Sequence, residues 1–196
     1  MNNENDRLSI LLISVHGLIR GQDLELGRDA DTGGQTLYVV ELARALGERD
    51  DVERVDLVTR RVVDPDVSED YAQAVETLSD KVRIMRVDAG PEEYLPKEAL
   101  WDHLDTFTDN LTRWLGEQPR RPDVVHSHYA DAGYVGVRLA NLLAVPLVHT
   151  GHSLGRVKRE RLLAIARDEL PHSIATRVTE WAASSVRLAS STTSSK

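Results

Sequence analysis

Apolar and polar positions alternate along this chain between two rhythms. Residues 8–15 (Leu8-Ser9-Ile10-Leu11-Leu12-Ile13-Ser14-Val15) form an apolar run of strand length. A run apolar on both faces fits a parallel strand covered by helices on either side. Residues 54–59, 82–87, 123–127 and 147–150 repeat that pattern. Between these runs the spacing becomes helical. Val39, Leu42, Ala43 and Leu46 fall at i, i+3, i+4 and i+7, closing near Gly47, and Leu100, Leu104, Phe107, Leu111 and Leu115 form a second stripe. Val135, Leu139 and Leu142 form a third, after which Pro146 opens the last strand. Strands alternating with helices of this length predict βαβ units. The expected fold is α/β, with a Rossmann-like, mostly parallel sheet and helices on both faces. Ligands of such sheets sit outside the carboxyl ends of the strands, which directs attention to the loops after Val15, Val125 and Val148. From about residue 157 the pattern is helical, broken at Pro171, and it ends in a small, polar stretch, 190–196.

Composition narrows the function classes. A chain of 196 residues suits one α/β domain with a real core. With 24 Lys plus Arg against 32 Asp plus Glu, its net charge of −8 excludes nucleic acid as the main partner. Any anionic ligand must therefore meet a local basic pocket. The absence of cysteine removes disulfides, thiolate metal sites and cysteine nucleophiles, and it suits a reducing compartment. The first apolar run is too short to span a bilayer and lacks the flanks of a signal peptide. A cytoplasmic protein without a membrane partner is expected.

Three groups of residues carry candidate chemistry. After the first strand come His16-Gly17, then Asp29-Ala30-Asp31-Thr32-Gly33-Gly34-Gln35 running into the first helix. This is neither G-x-G-x-x-G nor a Walker A loop, which demotes dinucleotide and P-loop nucleotide readings. Two glycines at a helix start let a ligand approach backbone N–H groups at the positive end of the helix. The plainer alternative is a tight turn capped by Thr32 or Asp31.

The second group is histidine. His126 and His128 bracket the end of the fourth apolar run, and His149 and His152 that of the fifth. H-x-H puts two imidazoles on one face of a strand, so one reading is a metal site completed by Asp131, serving a metal-dependent hydrolase. The rival reading gives His152 a hydrogen bond to substrate and leaves the others to order loops. The third group is basic: Lys97 follows Gly90-Pro91-Glu92-Glu93-Tyr94-Leu95-Pro96, and His152-Ser153-Leu154-Gly155-Arg156-Val157-Lys158-Arg159 enters a helix. Each charge-assisted hydrogen bond from such a cation to a phosphate is worth about 1.5–3 kcal/mol. Ordinary solvated lysines are the alternative.

The blocks from His16 to Gln35 and on through Tyr38-Val39-Val40-Glu41-Leu42-Ala43-Arg44-Ala45-Leu46 resemble the sucrose-phosphate synthases. Asp56-Leu57-Val58-Thr59-Arg60, Lys97-Glu98 with Leu100-Trp101, residues 123–133 and residues 150–155 resemble that family in the same order, over roughly 8–165. The resemblance implies a retaining glycosyltransferase of the GT-B type, whose two Rossmann-like domains face each other across a cleft. This chain would supply, over residues 8–190, the N-terminal acceptor-binding domain. The nucleotide-sugar-binding C-terminal domain would lie outside it, since the family's glutamate pair with seven intervening residues has no counterpart here. The implied reaction moves glucose from UDP-glucose, or ADP-glucose, to fructose 6-phosphate, giving sucrose 6-phosphate without a tightly bound cofactor.

By the same resemblance Gly33, Gly34 and Gln35 line the cleft, and Lys97, Tyr129, Ser153, Lys158 and Arg177 hold fructose 6-phosphate. His152 lies against the transferred glucose as the catalytic residue. Thr176 and Thr193 stand where the family has arginines. The chain alone is expected to bind the acceptor and not to turn over. A stand-alone sugar-phosphate-binding module is the other alternative.

Overall fold

The computed structural model describes residues 7–152. Residues Met1–Thr150 belong to one compact unit and Gly151–Lys196 to a second. The first unit contains strands β1 (Leu8–Ile13), β2 (Val52–Arg60), β3 (Val75–Thr77), β4 (Val82–Val87), β5 (Val124–His128) and β6 (Leu147–Thr150). Its α-helices are α1 (Gly34–Gly47), α2 (Leu104–Gly116) and α3 (Tyr129–Leu143). The strands make one sheet in the order β3-β4-β2-β1-β5-β6. Every pairing is parallel except β3 with β4. The expected α/β class and mostly parallel sheet are therefore observed.

Strand β1 is apolar because both its faces are covered. Ile10 and Leu12 join Val55, Leu57, Val82 and Ile84 beneath Val39, Val40 and Ala43 of α1. Leu11 and Ile13 point the other way, beside Val125 and Ser127 of β5. On that face α3 lies so close that a Cβ on Gly136 would meet Ser127 Cβ at 2.9 Å. The buried Asp56 of β2 is neutralised by Arg54 Nε at 3.0 Å and Arg83 Nε at 2.6 Å.

Two elements depart from the sequence reading. Strand β3 is not expected from the sequence: it is three residues long, sits at an edge and pairs antiparallel with β4, and just before it the Arg86 N–H donates to the Ala74 carbonyl at 2.8 Å. The stripe starting at Leu100 is not one helix either. Ala99–His103 forms a tighter 3-10 turn before α2, a common entry to an α-helix.

The chain leaves β1 for β2 on one side and later returns to place β5 on the other. This reversal opens a crevice at the carboxyl ends of β1 and β5. A long connection, residues 14–33, runs from this edge between β1 and α1. Loops of this length without regular structure in compact domains are usually functional. Leu18 of this loop packs with Val62 and Tyr71, which anchors it to the segment that follows β2. Among the described residues no helix is long and apolar enough to cross a membrane.

At Gly17 that loop combines a left-handed backbone with a close approach to another stretch of backbone. Its φ is +81°, and a Cβ there would lie 2.6 Å from the Asp31 carbonyl oxygen and 2.8 Å from Thr36 Cγ2. Gly27 has the same φ of +81° with nothing within 4 Å. Gly27→Ala therefore costs only the left-handed backbone, about 1–2 kcal/mol. Gly17→Ala adds a backbone clash and lowers the urea midpoint further. Equal losses in the two variants would mean that the close approach at Gly17 is not a constraint.

Candidate functional site

The site is assembled from three loops at the carboxyl edge of the sheet. Asp29 organises the first of them. Its Oδ1 accepts the N–H of Asp31 at 2.8 Å and of Thr32 at 2.7 Å. Burial works against its charge, yet these donors hold the carboxyl below the usual range. Thr32 Oγ1 accepts the Leu18 N–H at 3.2 Å. Neither Thr32 nor Asp31 caps α1, contrary to the plainer sequence reading. Gly33 is the N-cap residue and brings no side chain to the N–H groups of the first turn, while Thr36 Oγ1 donates to its carbonyl at 2.7 Å. A Cβ on Gly33 or Gly34 would meet nothing within 4 Å, so the backbone there stands open to a ligand. Gln35 Nε2 donates to Ser14 Oγ at 3.2 Å and so ties α1 to the end of β1.

The loop after β4 delivers Lys97. Arg60, buried at the end of β2, donates to the carbonyls of Ala89, Pro91 and Glu93, the last two at 2.7 and 2.5 Å, and fixes that loop. The Lys97 N–H donates to Asp31 Oδ2 at 2.8 Å, its ammonium bonds Asp31 Oδ1, and Glu98 lies at 3.4 Å. Burial disfavours the charge of Lys97, but Asp31 and Glu98 outweigh it and raise its pKa, so the ammonium stays protonated. Lys97 is thus a cation already seated on a carboxylate, not a solvated surface lysine.

The third loop joins β5 to α3. Tyr129 opens α3 with a left-handed backbone, φ 75°. Its ring meets the His16 ring edge-on, centroids 4.7 Å apart. His16 Nδ1 lies 2.6 Å from Asp131 Oδ2, with side chains 5% and 1% exposed. Burial opposes a charge on His16, but the Asp131 carboxylate overcomes it and raises the pKa. The structure so brings Gly33, Gly34, Gln35, Lys97 and Tyr129 to one edge of the first unit. His152, the second residue of the second unit, has φ 52°. Ser153, Lys158 and Arg177 lie outside the described residues.

The trio His126, His128 and Asp131 does not assemble as a metal site. The two imidazoles share a face, ring centroids 4.1 Å apart, but His126 Nε2 is 2.8 Å from Thr150 Oγ1 and Asp131 is taken by His16. Among the described residues no three His, Asp or Glu side chains converge on a position for a metal ion. The sequence reading passed over the His16–Asp131 pair because its members are 115 positions apart. The one available signal is topological, since both follow strands that flank the reversal.

A pH dependence follows from His16, which faces Asp131, Asp31, Lys97 and the Tyr129 ring. Its folded pKa is raised above the ordinary 6.5, so the folded state binds the proton more tightly than the unfolded one. The stability it contributes is full below about pH 6.5 and is lost as pH rises through the folded pKa. His16→Asn keeps a donor near Nδ1 but does not titrate. The urea-midpoint advantage of the wild type over this variant should therefore shrink on going from pH 6 to pH 9. A pH-independent difference would mean that His16 carries no bound proton in excess.

Comparison with known proteins agrees with this architecture. The chain is 49% identical over 181 residues to sucrose-phosphate synthase 4 of Arabidopsis thaliana, covering 82% of this chain and 17% of that protein. It is 48% identical over 191 residues to sucrose-phosphate synthase of Zea mays, covering 85% and 18%. The chain thus spans less than a fifth of the length of these relatives. A solved sucrose-phosphate synthase from Thermosynechococcus elongatus superposes with a TM-score of 0.65 at 32% identity, covering 79% of this chain and 35% of that one. A second structure of that enzyme gives a TM-score of 0.56 at 21% identity, covering 92% and 98%, which shows a shared fold. The profile of the glycosyl transferase 4-like domain matches residues 33–192, and the chain belongs to that family.

Proposed function

We propose that this chain is the acceptor-binding part of a sucrose-phosphate-synthase-like hexosyltransferase of the GT-B type. In this reading glucose passes from UDP-glucose, or ADP-glucose, to fructose 6-phosphate with retention, giving sucrose 6-phosphate. The observation that carries it is the open, uncapped start of α1 at Gly33 and Gly34, on the same sheet edge as the charged Lys97. The N-terminal dipole of α1 and an ammonium together suit an anionic sugar.

Lys97 has three N–H donors, so it can stay on Asp31 while it donates to a phosphate oxygen. Its pairing keeps it aimed, and the sugar phosphate supplies the second anion. Tyr129 and Gln35 offer a hydroxyl and an amide to the sugar ring. Ser153, Lys158 and Arg177 would complete the acceptor contacts, and His152 would lie against the glucose. In the transfer, an acceptor hydroxyl bonds to the anomeric carbon as the bond to the nucleoside diphosphate breaks. Negative charge gathers on the leaving phosphate oxygen, which takes up the proton of the attacking hydroxyl, and donors fixed beforehand lower the barrier most there. The nucleotide would be held by a second domain, so this chain by itself binds the acceptor without turning over.

Calorimetric titration tests the reading. Fructose 6-phosphate is expected to bind saturably and fructose at the same concentration not to bind. Lys97→Gln retains a donor for Asp31 but loses the charge. It should weaken binding by about tenfold or more, the worth of one charge-assisted bond. Equal binding of fructose, or an unchanged affinity in Lys97→Gln, would contradict it.

A further inference from the structure

We propose that His16 and Asp131 act as a positioning pair whose task is to hold Tyr129 in its left-handed conformation at the mouth of the site. That Tyr129 then meets an acceptor rests on the function proposed above; the positioning itself does not.

The starting point is an outlier. An aromatic residue at φ 75° is costly, about 1–3 kcal/mol, and persists only where its surroundings over-determine it. Glycine would occupy this position without strain, so the ring is kept at a cost in stability. Around Tyr129 the constraint is visible from both sides. On its own helix, Asp131 Oδ1 accepts the N–H of Ala132 at 2.7 Å, fixing the first turn of α3. Across the crevice, Asp131 Oδ2 takes His16 at 2.6 Å, and the His16 ring stands edge-on to the Tyr129 ring at an interplanar angle of 70°.

His16 is fixed in turn. It lies in the buried stretch that follows β1 and precedes Gly17, whose backbone is pressed against the Asp31 carbonyl. The loop after β1 and the loop after β5 are thereby joined through an ionisable hydrogen bond and a ring contact. Two apolar side chains could fill the same space at no loss of stability, because a buried ion pair sacrifices hydration that an apolar contact does not. What an apolar pair cannot do is fix direction. Asp131 uses one oxygen for the helix turn and the other for His16, and that geometry sets the angle at which Tyr129 leaves the strand.

The test follows Tyr129 by NMR in the full chain, through its Cα shift, its HN–Hα coupling and its ring protons. Asp131→Asn has one acceptor oxygen where two are needed, and His16→Ala has no donor. In both, the left-handed signature of Tyr129 should disappear and its ring protons should lose the shift from the His16 ring. His16→Asn restores a donor near Nδ1 and should restore the backbone signature without the ring shift. Retention of the signature in Asp131→Asn or in His16→Ala would overturn the proposal, as would its loss in a folded His16→Asn.

Titration with fructose 6-phosphate gives a second readout. Asp131→Asn and Tyr129→Phe should each weaken binding about three- to tenfold, and the double variant no further than the weaker single. Additive losses would mean that Asp131 acts independently of Tyr129, against the proposal. If the wild type does not bind fructose 6-phosphate, the acceptor reading fails while the spectral test of positioning still decides.

Discussion

The site depends on the backbone pairing of β1 on both its edges. Ile13 is registered with Val58 of β2 on one side and Ser127 of β5 on the other. Parallel pairing aligns the carboxyl ends of all three strands. Because the chain departs from β1 in one direction and later returns on the other side, their following loops separate and leave room between them. Everything proposed for function hangs on that room. The open start of α1, the Lys97 loop and the start of α3 enter it from three different connections, and none could form a site without the other two.

Charge in this crevice is arranged in pairs. A protein with a net charge of −8 would repel a phosphate at long range, so a local cation must be secured. Lys97 is secured by Asp31, and His16 by Asp131. Asp31 is reached by both the side chain and the backbone N–H of Lys97, and its own position is set by Asp29 through the Asx-type turn. Such pairing removes the freedom of the lysine and leaves donors unspent. An anion entering this edge meets preorganised groups, and little entropy remains to be lost on binding.

Much of the fold could be read from the chain because its signals are local. The both-face apolar runs marked five of the six strands, and the 3.6-residue stripes marked the three helices. Strand β3 escaped because three residues carry no periodicity and its place is set by pairing with β4, where Arg86 lies ten positions beyond Glu76. The first turn before α2 escaped because a 3-10 and an α turn bury the same Leu100 and Trp101. At this sheet edge Gly33, Gly34, Gln35 and Lys97 stand out in the sequence as loop motifs, and Tyr129 only through the family resemblance. Their partners do not. Asp131 was read toward His126 and His128, its neighbours in sequence, whereas folding delivers it to His16 across the strand reversal. The capping alternative does not hold for a related reason: Thr32 turns back to Leu18 inside the loop instead of forward to the helix.

The most direct measurement is an amide NMR map of the chain as fructose 6-phosphate is added. The account predicts saturable shifts at Gly33, Gly34, Gln35, Lys97 and Tyr129, with residues such as Val52 and Val124, at the amino ends of their strands, unmoved. Shifts clustered at those amino ends, or the absence of any saturable shift in the folded chain, would contradict it.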